Sequence, residues 1–171
     1  MEKMYSINEK GILVPDKEIA EICRKATIDA FRGKIDKIET DNFLNAMYSD
    51  SLRDTPSAIE ADASLVSAVL WSKVTCEPKN QPWVFKESAW GPGIGGGSCV
   101  GFMYTAYTDP NGWDNFFKNV TAYHAQGIAA TGGIFQINWF NSSGTPVGQF
   151  NGALAGAGAF EIGGSCKWER K

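Results

Sequence analysis

GIFQINWFNSSGTPVGQF, residues 133–150, reads as a β-hairpin. Phe135, Ile137 and Trp139 stand at alternate positions, with Gln136 and Asn138 between them. Side chains alternate faces along a strand, so the three hydrophobes share one face. Asn141-Ser142-Ser143-Gly144 supplies turn chemistry, Gly144 being free to take positive φ. Val147 and Phe150 resume apolar spacing on the return strand. A two-stranded ribbon this apolar on one face does not stand alone in water. The chain must supply more sheet to cover it.

The neighbouring sequence supplies it. From about Ser64, the residues Val66, Ala68, Leu70, Val74 and Cys76 alternate with more polar neighbours and predict one long strand. Pro78 to Pro82 forms a turn, and Trp83–Trp90 a second strand. The Gly-rich stretch 91–98, GPGIGGGS, reads as a loop before a third strand, Cys99–Thr108. Asp109-Pro110-Asn111-Gly112 is a turn, and Trp113–Val120 fits one short helix. Thr121–Ile128 is a further strand ahead of the hairpin. Ala153–Ile162 is small and Gly-rich, with a bend expected at Gly156–Gly158, and Ser165–Glu169 is a closing strand. Short strands with turn signals about every ten residues argue for an antiparallel sandwich or barrel.

The first 60 residues differ in kind. They carry 12 acidic and 9 basic side chains, whereas residues 61–171 carry 7 of each. Residues 1–15 read as a loose leader. Asp16 caps a helix that runs to about Arg32, with Ile19, Ile22, Cys23, Ala26 and Ala30 on one face and Gly33 as a stop. A second helix starts at Thr40 or Asp41 and uses Phe43, Leu44 and Met47; Pro56 ends the region. Two short amphipathic helices are marginal alone. They pack on the β part, pair with another chain, or stay partly disordered. The division is therefore a helical, charged extension over 1–60, a region for secretion or chaperone docking, and a β domain over 61–171.

The whole chain has a net charge of −3 and no basic patch, which argues against nucleic-acid binding. The start, MEKMYSINEKGILVPDKE, lacks the basic-then-apolar pattern of a Sec signal peptide, and no apolar run is long enough to span a bilayer.

Chemistry-bearing motifs are few. Gly91-Pro92-Gly93-Ile94-Gly95-Gly96 matches G-x-G-x-x-G as text, but a strand follows it where a dinucleotide site needs a helix. No cofactor is expected. His124 is the single histidine; no G-x-S-x-G elbow accompanies it, and one histidine does not build a typical metal site. Glu87 and Glu161 are a carboxylate pair only if the fold brings them face to face. Cys23, Cys76, Cys99 and Cys166 lack C-x-x-C spacing and read as small buried hydrophobes, a Cys76–Cys99 disulfide after export being the alternative. No catalytic or metal residue is assigned. All six tryptophans lie in the second part. Trp90 and Trp113 flank loops, where they serve either as glycan or membrane-interface contacts or as edge-of-core packing.

Over residues 64–169 the ordered pattern resembles the virulence-associated protein family (VapA/VapB-like) of intracellular bacterial pathogens. The carriers are Ser67-Ala68-Val69-Leu70, the Gly-rich 91–97 with the strand to Tyr107-Thr108-Asp109, and Ile137-Asn138-Trp139-Phe140-Asn141-Ser142-Ser143-Gly144. Val147-Gly148-Gln149-Phe150, and Gly163-Gly164-Ser165 before Trp168, complete it. The resemblance implies a compact, mainly β fold: an eight-stranded antiparallel Greek-key barrel with one short helix, here preceded by the helical N-terminal region. It implies a secreted protein that acts inside host phagocytic compartments. Members usually carry a signal peptide, so export of this chain would take another route.

Three readings follow: a non-enzymatic virulence-associated barrel acting on host membranes or a host protein partner; a glycan- or lipid-binding module using Trp90 and Trp113; and a small hydrolase using Glu87, His124 or Cys99.

Overall fold

A computed structural model describes residues 5–7, 9, 13–48, 58–90, 95–129, 133–154 and 160–171. A small antiparallel ribbon opens it, β1 (Tyr5–Ile7) against β2 (Leu13–Pro15). The leader expected over 1–15 thus contains paired strands.

Asp16 then caps α1 (Lys17–Phe31), its carboxylate accepting from the N–H groups of Glu18 and Ile19. The second helix, α2 (Lys37–Tyr48), starts earlier than Thr40 because Asp36 is the working cap and accepts from the Glu39 N–H at 2.8 Å. Seven long strands and two shorter ones follow: β3 (Ala58–Ala68), β4 (Trp71–Pro78), β5 (Trp83–Trp90), β6 (Gly95–Thr105), β7 (Val120–Ile128), β8 (Ile134–Asn141), β9 (Pro146–Ala153), β10 (Glu161–Ser165) and β11 (Glu169–Arg170). The helix α3 (Gly112–Asn119) joins β6 to β7.

These nine strands form one antiparallel sheet in the order β10-β7-β8-β9-β6-β3-β4-β5-β11. The sheet curls until β10, at one end, comes against β5 near the other. The order contains two Greek keys. In the first, β3, β4 and β5 meander and β6 returns beside β3; in the second, β7, β8 and β9 meander and β10 returns beside β7. The fourth strand of each key meets the third strand of the other. Gly-Gly-Ser-Cys occurs at both returns, as Gly96–Cys99 and Gly163–Cys166.

The long first strand expected from Ser64 is a hairpin. β3 turns at Val69-Leu70 and comes back as β4. The turn carries no Gly, Asn or Asp, so no turn signal marks it. The phase flips across it: Val66 and Ala68 face out, while Val74 and Cys76 face in and are fully buried. At the other end of the chain, pairing falls on Glu161–Ser165 with β7, not on Ser165–Glu169. Gly95–Ser98, expected as loop, begins β6; the bend expected at Gly156–Gly158 lies outside the described residues.

The inner face is packed with aromatic rings. Phe85 stands 5.2 Å from Tyr123, 5.6 Å from Trp139 and 5.4 Å from Trp168. Phe116 of α3 reaches Trp139 at 5.5 Å, and Phe117 stacks on Trp83 at 5.5 Å. The helix therefore caps the end of the barrel at which β5 begins. The helices α1 and α2 lie on the outer wall. Phe31, Phe43, Leu44 and Met47 cover Phe102 and Tyr104 of β6, with Phe140 of β8 at their edge.

Candidate functional site

Five exposed apolar side chains, Val66, Val69, Leu70, Trp71 and Trp90, gather where the β3–β4 hairpin turns, while Ile28 of α1, Ile38 of α2 and Val100 of β6 are exposed elsewhere. Val69 and Leu70 form the tip and are 68% and 64% exposed. Beside them Ala68 pairs with Trp71, and Trp71 with Trp90, all on the outer face. Trp90 is 83% exposed. Val66, also exposed, lies two residues behind Ala68. Large rings and branched aliphatics left in water this way mark an interaction surface.

Polarity is layered behind the tip. Antiparallel pairing puts directly opposed residues on one face, so the outer surface can be read row by row. The first row is Ala68, Trp71 and Trp90. The second is Val66, Lys73 and Ser88, and the third Ser64, Thr75 and Lys86. Asp62 and Glu77 appear only in the fourth. Six residues of strand separate Ala68 from Asp62, about 20 Å. On its outer face the hairpin is thus apolar first, then cationic, and acidic only far from the end; Glu87, three residues from Trp90, lies on the inner face.

Trp113 is elsewhere. It is half-buried on α3, its ring 5.6 Å from Phe116 and 5.9 Å from Phe117. Phe117 stacks on Trp83, which begins β5, whereas Trp90 ends that strand. Seven residue steps, about 23 Å, separate the two strand ends. Trp90 and Trp113 do not share one surface.

The groups weighed for catalysis are also separated. His124 lies on the outer wall, its Nε2 2.7 Å from the Glu161 carboxylate, which in turn lies 3.5 Å from Lys34 Nζ. Burial holds the His124 imidazole below its ordinary value of 6.5, outweighing the opposing pull of Glu161. Glu161 is itself held low, chiefly by the bond to His124. Glu87 is opposite buried Val74 on the inner face, and its carboxylate accepts the Lys167 N–H at 3.2 Å. Cys99 is also inward, opposite Ala63. The barrel wall therefore stands between His124 and both of the other candidates, and Glu161 faces His124 rather than Glu87.

The Cys76–Cys99 disulfide is not formed; all four thiols are free. Both cysteines pair with Ala63, from its two sides. Two ladder spacings, about 9.6 Å, separate their strands, whereas a disulfide needs Cα atoms within about 7 Å. Burial pushes the thiols of Cys23, Cys99 and Cys166 up to about 12, with Asp62 adding to the effect at Cys99 and Glu87 at Cys166. Among the described residues, no group of three or more His, Cys, Asp or Glu side chains is placed to hold a metal, and no helix is long and apolar enough to cross a membrane.

The curled two-key sheet with one capping helix defines a class. A family model described as Rhodococcus equi virulence-associated protein matches residues 12–169, and the chain belongs to that family. The match begins ahead of α1 and takes in the helical arm as well as the barrel. Among solved structures, the chain is similar to virulence-associated protein VapB from the intracellular pathogen Rhodococcus equi: 23% identity, TM-score 0.56, covering 67% of this chain and 97% of that one. It is similar also to virulence-associated protein VapD of the same organism: 20% identity, TM-score 0.54, covering 66% and 96%. At these identities the likeness is one of fold. No curated protein matches the chain.

Proposed function

We propose that this chain is a secreted, non-enzymatic virulence-associated barrel that works at the surface of a host membrane, with the β3–β4 tip as its contact. One observation carries the reading: the succession from apolar tip to lysine rows to distant acids on the outer face. Tryptophan side chains favour the membrane–water interface, where the ring is half in lipid. Lysines one and two rows behind would lie at headgroup depth, each adding about 1 kcal/mol near an anionic leaflet. Asp62 and Glu77 would stand clear of the surface. The orientation follows from the charge order alone, although the chain as a whole is acidic.

Flotation with phosphatidylserine-containing and with pure phosphatidylcholine vesicles tests it. Wild-type protein should float with the anionic vesicles and largely stay behind with the neutral ones. Leu70→Ser with Trp90→Ser should abolish flotation, because both side chains are exposed and their loss leaves the core intact. Equal flotation of variant and wild type would overturn the assignment of the tip.

A further inference from the structure

Three polar atoms stand inside the aromatic core with no hydrogen-bond partner among the described residues: the Tyr123 hydroxyl and the Nε1 groups of Trp139 and Trp168. All three side chains are more than nine-tenths buried. Their rings form one cluster. Tyr123 and Trp139 are directly opposed across the β7–β8 ladder, and the Trp139 and Trp168 rings are 5.3 Å apart. Phe85 of β5 touches all three, Tyr123 at 5.2 Å, Trp139 at 5.6 Å and Trp168 at 5.4 Å.

An indole N–H donates and cannot accept, so each of the two needs an acceptor brought to it. A buried donor left unpaired loses its hydration with nothing in return. The rings packed around the indoles offer only edges and faces: Phe85 and Phe116 cross Trp139 at 83° and 85°, and Phe117 crosses Trp168 at 70°. Acceptor capacity comes from Glu87, two residues beyond Phe85 on the same inner face. Its carboxylate takes the Lys167 N–H at 3.2 Å and has further lone pairs. Burial, with the charge of Glu87 and Cys166 adding to it, pushes the Tyr123 hydroxyl up to about 12, so it stays protonated at neutral pH. An anionic ligand would meet the Glu87 charge. A metal ion would meet N–H groups, which do not ligate. The chemistry calls for a small neutral molecule that accepts from the indoles and donates to the hydroxyl or the carboxylate.

We propose that the core of the barrel encloses a hydration site, in which ordered water accepts from Trp139 and Trp168, bonds the Tyr123 hydroxyl and leads to the Glu87 carboxylate. Buried waters ordinarily make about three hydrogen bonds to polar groups that lack other partners, and this cluster supplies that number. The place of the site gives it a role. Strands β5 and β7 stand near opposite ends of the sheet order, and among the described residues no ladder joins β5 to β10 where the sheet curls closed. Glu87 belongs to the first key; Tyr123 and Trp139 belong to the second; Trp168 follows both. The water links all three parts across the closure that backbone pairing leaves open. The site is independent of the β3–β4 tip.

Two measurements on the full chain test it. A crystal structure of the wild-type protein, at a resolution that shows other internal waters, should show water density within about 3.2 Å of at least two of the three atoms. Indole N–H groups aimed at the faces of neighbouring rings, with no density in reach, would overturn the proposal. Density for a larger molecule would give the site to another ligand, and would also overturn it. The second measurement is the melting temperature of Tyr123→Phe, which removes the hydroxyl and keeps the ring against Phe85. A hydroxyl bonded to water should be missed, and the variant should melt about 2–4 °C lower, the shift that one lost hydrogen bond produces in a chain of this length. A hydroxyl unpaired in a dry core is a burden, so an unchanged or higher melting temperature would count against the site as well. None of these outcomes depends on vesicle binding.

Discussion

The side-chain amide of Gln136 donates to the backbone carbonyl of Cys23 at 3.2 Å, across 113 residues of sequence. Gln136 is fully buried, although its neighbours on either side, Phe135 and Ile137, point into the opposite face of the sheet. The central hairpin is therefore buried twice, by the aromatic core on one side and by α1 on the other. Its polar side is as much interior as its apolar side.

Replacing Gln136 with leucine should destabilise the protein by about 2–3 kcal/mol. The change leaves the Gln126 and Asn138 donors and the Asn151 acceptor without their Gln136 partner in a buried site, and each orphaned group costs roughly 1–3 kcal/mol less whatever relaxation recovers. Urea unfolding followed by tryptophan fluorescence measures it. A gain in stability would mean that the amide network contributes nothing net.

Gly148 lies opposite Trp139, and a Cβ there would come within 2.4 Å of the Phe116 ring and 2.8 Å of the Tyr104 carbonyl. The carbonyl belongs to the neighbouring strand and cannot give way cheaply. Gly148→Ala should lower stability by about 1–3 kcal/mol, the usual cost of overpacking. Gly164→Ala, which meets nothing within 4 Å, is the matched control and should melt near wild type. Thermal melts of the pair decide it.

The four cysteines should resist alkylation in the folded protein at pH 8. Their thiols are held far above that pH by burial, so almost no thiolate is present to react. Mass spectrometry after iodoacetamide treatment should find the native chain unmodified and the denatured chain carrying four adducts. Two adducts after denaturation without reductant would reveal a disulfide and contradict the free thiols.

Stability should fall as the pH drops below about 6.5, and His124 should account for part of the fall. The folded imidazole is held below its ordinary value, so the unfolded chain takes up the proton first and acid favours unfolding. The loss begins near the unfolded value and is complete below the folded one. Glu161 is also held low, so its stabilising contribution disappears only at more acidic pH. His124→Gln should flatten the upper part of the profile and also shrink the lower part, because the bond to His124 is the chief cause that holds Glu161 low. Melting temperatures from pH 7.5 down to 4 would show this; parallel profiles for the two proteins would contradict it.

The barrel was legible because its strands alternate and its turns are chemically marked. At Asn141–Gly144 the Asn141 side chain accepts from the N–H groups of Ser143 and Thr145, and Gly144 takes φ +77°, as the residue types predict. The β3–β4 turn was not legible. Val69-Leu70 has no turn chemistry, and the apolar alternation runs through it, so two strands read as one. Alternation that runs unbroken through Val69-Leu70 assigns Leu70 to a core face, whereas it stands exposed at the tip. Trp90 was visible as a loop-flanking ring, but its partner Trp71 appears beside it only once the hairpin is drawn correctly. Trp113 looked equivalent in sequence; its helix turns the ring against Phe116 and Phe117. The helical arm was readable as helices, from Asp16 and the four-residue spacing, but not its place. Amides at alternate strand positions normally face water, and nothing local says that a helix 100 residues earlier covers them.

Quenching of tryptophan fluorescence by brominated lipid tests whether the Trp71–Trp90 tip enters the membrane interface. Anionic vesicles with bromine near the headgroups should quench a substantial part of the wild-type emission. Trp71→Phe with Trp90→Phe keeps the tip apolar, so this variant should still float with the vesicles yet lose most of the quenching. Quenching that persists undiminished in the variant would place another tryptophan, and another face of the barrel, at the membrane.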